Sequence, residues 1–285
     1  MINRLCIFGV GLIGGSLAMA LRKAGYCNDI IGCSRNEVHL LEALELGVID
    51  EFTTDPVDAV NNADVIFLAV PLSAIKPILE HIKDHLPEHA IITDGGSAKG
   101  CVKQDAEDVF GSLPARFILG HPIAGREKSG VNAAIDDLYQ QRKVILTPTD
   151  HTDPEALSAI QRMWETAGAA VEHLGVEEHD QILAATSHLP HVLAFELVST
   201  LSNSAVSDNV FNYAAGGFQD FTRIASSDPV MWRDICLHNK EAILGMLGEF
   251  EERLDELKTQ IIEADGKAIL ETFAAAKAAR DDAVK

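Results

Sequence analysis

The segment Gly9-Val10-Gly11-Leu12-Ile13-Gly14 decides how the start of the chain folds. It follows the apolar run Leu5–Val10 and opens a helical pattern, so it has the G-x-G-x-x-G spacing of a strand-to-helix turn that holds a dinucleotide. The first glycine allows the tight turn, the second lets the backbone approach a pyrophosphate, and the third lets the helix pack close to the strand. The exposed N–H groups at the helix start favour phosphate charge. The expected cofactor contacts of this turn are Gly9, Gly11, Leu12, Ile13 and Gly14.

Strand and helix patterns alternate through the first 175 residues. The apolar, β-rich runs predict strands at Leu5–Val10, Ile30–Ser34, Val65–Val70, Ile91–Asp94, Phe117–Gly120, Val144–Thr147 and Ala170–Leu174. The intervening patterns predict helices near Gly14–Ala24, Val38–Leu46, Ser73–His85, Lys99–Phe110 and Pro154–Ala167. This alternation is typical of a parallel sheet covered on both faces. The fold class is therefore α/β, with a doubly wound dinucleotide-binding (Rossmann) domain over residues 1–175.

The strand patterns stop after Gly175, which predicts an all-α domain over residues 176–285. Val176–Ser202 reads as one helix interrupted at Pro190, and Asp228 before Pro229 is an expected N-cap. A heptad-spaced apolar seam then recurs at Ile243, Leu247, Phe250, Leu254, Leu257 and Ile261. The seam fits either a core helix or a dimer helix. We expect a homodimer through this domain, and we expect a frayed helix at Ala274–Lys285.

The composition narrows the classes of function. The 285 residues contain 47% apolar residues and carry a formal charge of −20, which disfavours nucleic acid and anionic membranes as partners. An anionic substrate must then be held by a local basic pocket. The five scattered cysteines indicate reduced thiols and a cytoplasmic protein. Apart from Leu5–Leu21, we expect no apolar run of membrane length.

The end of the second predicted strand indicates the cofactor. An NAD enzyme usually has Asp or Glu there to bond the ribose 2′-hydroxyl, but this chain has Ser34 and Arg35. A hydroxyl and a guanidinium suit a 2′-phosphate, so NADP is favoured, with NAD as the alternative if Arg35 only stacks on adenine. Val70 and Pro71 end a neighbouring strand and are expected to contact the same cofactor.

Three further segments carry a resemblance to a known family. They are the H-P-x-A-G-x-E-x-S-G segment at 121–130, S-H-L-P-H at 187–191, and G-F-x-D-F-T-R-I-A-x-S-D-P-x-M-W at 217–232. With the glycine-rich turn before them, they make the chain resemble the prephenate and arogenate (cyclohexadienyl) dehydrogenases of tyrosine biosynthesis from about Arg4 to Glu263. The resemblance implies oxidative decarboxylation of prephenate to 4-hydroxyphenylpyruvate, of arogenate to tyrosine, or both.

The resemblance also implies roles for individual residues. His121 would accept the hydroxyl proton as hydride leaves, since an imidazole titrates near neutrality, and Ser97 would orient it. The implied substrate-binding residues are Arg223, His191, His188, Ser187, Glu127 and Gly216. Arg223 can hold a carboxylate through two parallel bonds. Arg126 departs from the family pattern, where a small or hydroxyl residue is expected. It is a further candidate for substrate binding through a carboxylate, with pairing to Glu127 and a position facing solvent as the alternatives, which leaves the substrate preference open.

Other classes stay open at the level of sequence. A β-hydroxyacid dehydrogenase would use Lys240 as its catalytic lysine, but the glycines expected before it are missing. A non-catalytic dinucleotide sensor would not need His121, Ser97 and Arg223 together. A metal site at His179, His188 and His191 is a weak prediction because no carboxylate lies at a matching spacing, so no metal is expected.

Overall fold

The structure, a computed structural model, describes residues 1–126, 128–204 and 211–283. Its strands are β1 Ile2–Phe8, β2 Cys27–Cys33, β3 Glu51–Thr53, β4 Val65–Leu68, β5 Ile91–Asp94, β6 Phe117–Ile118, β7 Gly120–Pro122, β8 Lys143–Leu146 and β9 Ala170–His173. Its α-helices are α1 Leu12–Lys23, α2 Glu37–Glu45, α3 Pro56–Val60, α4 Leu72–Ile82, α5 Gly100–Phe110, α6 Pro154–Thr166, α7 Val176–Leu183, α8 Leu189–Ser202, α9 Gly216–Thr222, α10 Pro229–His238, α11 Lys240–Ile262 and α12 Gly266–Ala283.

The main sheet has six parallel strands in the order β3-β2-β1-β4-β5-β6. The chain starts in the middle, builds outward to β3 and then returns to β4, so the strand order reverses between β1 and β4. This confirms the predicted doubly wound domain followed by helices. The sequence patterns missed β3 and α3, because elements of three and five residues show too little periodicity to be recognised.

A second sheet corrects the prediction of a single parallel sheet. Strands β7, β8 and β9 form it, with β7 antiparallel to β8 and β8 parallel to β9. The predicted strand Phe117–Gly120 is split, because β6 lasts only two residues and the next backbone carbonyl, of Leu119, accepts from Thr147 instead. His121 therefore lies within β7, paired with Ile145, rather than in a loop.

In the helical half, the helices begin and are interrupted close to the positions that the sequence predicts. Helices α7 and α8 are joined by a π-helical turn at Ala184–His188, so the predicted interruption falls just before Pro190. The Asp228 carboxylate accepts the N–H groups of Val230 and Met231 at 2.8 and 2.9 Å, which confirms it as the N-cap of α10. The last helix stays regular through Ala283.

The continuous helical run Val176–Ser202 has the length and hydropathy of a membrane span, which by itself is weak evidence for one. His179 and His188, both buried in this protein, lie within it. The chain divides into two compact units, residues 1–240 and residues 241–285. The domain boundary predicted after Gly175 stays a prediction. All five cysteines are free thiols.

A buried ion pair ties the end of β5 to the start of β7. The Lys99 ammonium bonds the Asp94 carboxylate, and both side chains are fully buried. Lys99 also donates to the Gly120 carbonyl at 2.7 Å, while Asp94 accepts the N–H groups of Gly96 at 2.8 Å and Gly120 at 3.0 Å. These extra bonds satisfy both charges, which a buried pair requires to offset its desolvation.

We expect Asp94→Asn to lower the free energy of unfolding by about 3–5 kcal/mol, because the Lys99 ammonium is left buried and unpaired. Glu107→Gln is the control, since it removes the partner of Lys103 at the surface and costs at most about 1 kcal/mol. Denaturant titration measures both. Similar small losses in the two variants would contradict the structural role of the buried pair.

Candidate active site

A cavity of about 900 Å³ lies at the carboxyl ends of β1, β2 and β4, where the strand order reverses. This is the place where open α/β sheets bind ligands. Six of the nine predicted cofactor contacts line it, namely Gly9, Gly11, Ser34, Arg35, Val70 and Pro71. The other three, Leu12, Ile13 and Gly14, start α1 and are not among its lining residues.

The three glycines of the turn have different surroundings. A Cβ at Gly9 would lie 2.3 Å from the Ala69 carbonyl oxygen, and φ there is +88°. A Cβ at Gly14 would lie 2.4 Å from the Gly9 carbonyl oxygen, whereas nothing lies within 4 Å of one at Gly11. The start of α1 has no side-chain cap, so its N–H groups remain for a ligand. The open space beside an uncapped helix start fits a pyrophosphate.

A chain of three side chains connects His121 to the start of α5. His121 Nδ1 lies 2.9 Å from His179 Nε2, and His179 Nδ1 lies 2.8 Å from an Asp180 carboxylate oxygen. Asp180 also accepts the N–H groups of Lys99 at 2.7 Å and Gly100 at 2.8 Å. Lys99 therefore bonds Asp180 through its backbone N–H and Asp94 through its side-chain ammonium. The arrangement brings together side chains from β7 and α7.

Burial keeps the histidines of this cluster neutral. Desolvation, followed by the charges of His179, Lys99 and His188, holds the pKa of His121 well below its ordinary value. Desolvation also lowers the pKa of His179, although Asp180 opposes it. The pKa of Asp180 is lowered despite desolvation, because His179 and two backbone N–H groups bond its carboxylate. A neutral imidazole has a free lone pair and can therefore accept a proton at pH 7.

His188 and His191 both lie against Trp232. The His191 ring stacks on the indole with centroids 3.8 Å apart, and its Nδ1 donates to the Ser187 carbonyl at 2.8 Å. His188 is 1% exposed, and its Nδ1 accepts from Asn239 at 3.0 Å. Its Nε2 is buried without a hydrogen-bond partner among the described residues. These contacts place the two histidines and Trp232 in one cluster.

The other residues that the sequence predicts for catalysis or substrate binding differ in burial and in the element that carries them. Ser97 is half-buried in the turn after β5, and Gly216 begins α9. Arg223 opens a 3-10 turn, and its charge lowers the pKa of His191 after the larger effect of desolvation. Arg126 is exposed, and Glu127 lies outside the described residues. Lys240, the base that a β-hydroxyacid dehydrogenase would need in its cleft, is exposed.

Sequence reasoning missed His179, which bonds His121, and the charged groups around this pair. Asp94 and Lys99 carried a weak signal, since they flank the Gly-Gly-Ser turn at the end of a predicted strand. Asp180 carries no signal, because it lies in an ordinary helical stretch, and the sequence pattern marks His179 only as a weak candidate metal ligand. Within the described residues, no group of His, Cys, Asp and Glu side chains is arranged to hold a metal ion.

The open parallel sheet, the glycine-rich turn at its reversal point and the neutral buried histidine define a dinucleotide-dependent dehydrogenase. The nucleotide-binding domain model of prephenate dehydrogenase matches residues 17–173, and the dimerization domain model of the same enzyme matches residues 175–275. This chain belongs to the prephenate dehydrogenase family.

Individual relatives are similar to this chain over almost its whole length. Prephenate dehydrogenase of Bacillus subtilis is 38% identical over 98% of this chain and 76% of its own length. Cyclohexadienyl dehydrogenase of Zymomonas mobilis is 37% identical over 98% of this chain and 95% of its own. Among solved structures, prephenate dehydrogenase from A. aeolicus, in complex with hydroxyphenyl propionate and NAD+, has a TM-score of 0.92 at 41% identity, covering 99% and 98% of the two chains. Synechocystis arogenate dehydrogenase has a TM-score of 0.82 at 31% identity, covering 99% and 100%.

Two glycine variants separate cofactor binding from folding. Gly11→Ala should weaken dinucleotide binding at least about tenfold, because the new methyl group enters the open space, while thermal stability changes little. Gly14→Ala should lower the melting temperature, because its Cβ clashes with backbone at 2.4 Å. Fluorescence titration with dinucleotide and thermal unfolding check this. Unchanged affinity in Gly11→Ala would remove the glycine turn from the cofactor site.

The buried histidines should make the fold sensitive to acid. His188 has a pKa lowered to about 4, mainly by desolvation, against an ordinary 6.5. The folded state therefore binds fewer protons than the unfolded state between pH 6.5 and 4, so stability falls as pH falls, by up to about 1.4 kcal/mol per pH unit for each such group. Urea titration across this window should show a shallower pH dependence in His188→Gln than in the parent. The exposed-site variant His173→Gln should follow the parent, and parallel curves for all three proteins would contradict the assignment.

Proposed function

We propose that this protein catalyses the oxidative decarboxylation of prephenate, of arogenate, or of both, with hydride transfer to a nicotinamide dinucleotide. The observation that carries the proposal is the buried, neutral His121 with its Nδ1 engaged by His179. The relatives named for prephenate, cyclohexadienyl and arogenate dehydrogenation support the choice of substrate class. The reaction belongs to tyrosine biosynthesis, and we place it in the cytoplasm.

His121 acts as the base in this proposal. It takes the proton of the 4-hydroxyl group, which becomes a carbonyl as the C–H bond gives up its hydride. A nicotinamide dinucleotide held by the turn of Gly9, Gly11 and Gly14 would supply the hydride acceptor. Carbon dioxide then leaves the opposite ring carbon, its bonding electrons complete the aromatic ring, and the ring oxygen takes the proton back from His121. The atoms and charges balance without an additional acid or base.

The substrate's carboxylates need cations inside a strongly acidic protein. We assign Arg223 as the carboxylate partner, because its planar guanidinium can form two parallel bonds. The Arg223 charge lowers the pKa of His191, so a substrate held by Arg223 would lie near the His191 ring. We assign His191 to contact the side chain of the substrate. We assign Ser97 to orienting the base and hydroxyl. The other proposed contacts are Ser187, His188, Gly216, Arg126 and Glu127.

The favoured cofactor in this proposal is NADP. Ser34 and Arg35 line the cavity directly after β2, and Arg35 is exposed to an entering ligand. No acidic residue follows β2 at these two positions, so a 2′-phosphate would meet a hydroxyl and a guanidinium there. We therefore assign NADP, with its 2′-phosphate held by Ser34 and Arg35, in preference to NAD.

We also propose a homodimer built by the helical half, with residues 1–175 and 176–285 as its two domains. The seam residues Phe250, Leu254 and Ile261 are 37%, 44% and 60% exposed. In the unit of residues 241–285, this apolar stripe favours the dimer interpretation over that of a core helix. The dimerization domain model that matches residues 175–275 supports the same proposal.

Absorbance at 340 nm tests the function directly. Prephenate, arogenate and a 3-hydroxyacid are each supplied with NAD and with NADP. We expect turnover with at least one cyclohexadienyl substrate, faster with NADP, and none with the 3-hydroxyacid. His121→Asn should lower turnover by about 10²–10⁴ with little change in KM. Absence of turnover for prephenate and arogenate would refute the function, and a wide preference for NAD would refute the Ser34–Arg35 assignment alone.

Assembly is tested by sedimentation at micromolar concentration. We expect the parent to sediment as a dimer of 30.8 kDa chains. Leu254→Asp should abolish the dimer, because an unpaired charge in an apolar interface costs several kcal/mol, at least about 3. Glu252→Gln, also on an exposed part of α11, should leave it intact. A monomeric parent would contradict the proposed assembly.

A further inference from the structure

We propose that His179 and Asp180 are positioning residues that fix the tautomer of His121, so that its Nε2 carries the lone pair for the substrate's proton. The same two side chains then stabilise the imidazolium that forms. The inference depends on the proposed role of His121 as the base. It assigns a function to the buried His179 and the partly buried Asp180, neither of which lines the dinucleotide cavity.

The tautomer follows from the direction of each hydrogen bond. The ionised carboxylate of Asp180 can only accept, so the Nδ1 of His179 must donate across the 2.8 Å contact. Because His179 is neutral, its Nε2 then carries a lone pair and can only accept. The contact of 2.9 Å therefore has His121 Nδ1 as its donor. With the hydrogen on Nδ1, the free lone pair of His121 is on Nε2.

Asp180 is held in place by backbone rather than by mobile side chains. Its two carboxylate oxygens accept the N–H groups of Lys99 and Gly100 at the start of α5. A Cβ at position 100 would lie 2.9 Å from the carboxylate, so a glycine there lets it approach the backbone closely. His179 is fully buried, which leaves its ring little freedom to turn away. The orientation of His121 is thus tied to the same segment that carries Ser97.

The charges around His121 explain why such support is needed. Lys99, His179 and His188 all disfavour a positive charge on its ring, and burial removes the help of water. Asp94 is paired with Lys99, and Asp180 reaches His121 only through His179. A proton arriving on Nε2 strengthens the donation from Nδ1 to His179, and Asp180 stabilises that acceptor. The proton returns to the ring oxygen at the end of the reaction, so the charge is held only transiently.

Nitrogen NMR of histidine-labelled protein reads the tautomer without any substrate. His121→Asn assigns the resonances of His121 by their loss. At pH 7 we expect the parent to show a protonated Nδ1 and an unprotonated Nε2 for His121. A parent His121 that carries its proton on Nε2 would overturn the proposal, whatever the activity of the enzyme.

Kinetics of matched variants test the effect on the reaction. His179→Leu removes the acceptor and should lower kcat about 10²-fold with an unchanged KM. Since the imidazolium loses its support, the acid limb of kcat/KM should also move to lower pH. His179→Gln can still accept from His121 and donate to Asp180, so it should recover to within about tenfold of the parent. The exposed-site variant His173→Leu is the control.

The outcomes separate the inference from the function on which it depends. An inactive parent refutes the function, while the NMR result still decides the tautomer. An active parent whose His179→Leu variant keeps its rate and its acid limb refutes the positioning role. Equal losses in His179→Leu and His179→Gln, with an unmoved acid limb, would also overturn it, because they indicate packing alone. If His179→Leu does not fold, the glutamine variant and the parent NMR decide.

Discussion

The buried pair of Lys99 and Asp94 is the constraint on which the arrangement of the site depends. Neither charge has access to water, so each must keep its partners, and those partners are backbone groups of Gly96 and Gly120. Breaking the geometry would leave an uncompensated charge in the interior. The turn after β5 and the start of β7 are therefore held in one arrangement. Those two segments carry Ser97 and His121.

The same lysine links this framework to the helical half through its backbone. Its N–H group and that of Gly100 hold the Asp180 carboxylate, which bonds His179, which in turn bonds His121. His121 in β7 and His179 in α7, which are 58 positions apart in the sequence, are thus joined by a hydrogen bond between their rings. The cofactor cavity depends on different contacts. Gly9 and Gly14 lie close to neighbouring atoms, whereas the space beside Gly11 is open.

Much of the fold could be predicted from the sequence because the relevant signals are local. The glycine turn, the alternating apolar runs and the Asp228 cap each act within a few residues. The second sheet could not be predicted, since β6 has only two residues and the switch of partner at Leu119 depends on β8. The contacts of His121 were hidden for the same reason: Asp180 looks like any helical acid until the fold brings it to the start of α5. The burial that keeps His121 and His179 neutral is likewise a property of the packed interior.

The most direct test of this account is a crystal structure with NADP+ and 4-hydroxyphenylpyruvate bound together. The account predicts the phenolic oxygen within about 2.6–3.2 Å of His121 Nε2. It also predicts that His121 Nδ1 still faces His179 and that a product carboxylate contacts Arg223. A product whose phenolic oxygen bonds another side chain, or a His121 ring turned so that Nδ1 faces the product, would contradict the account.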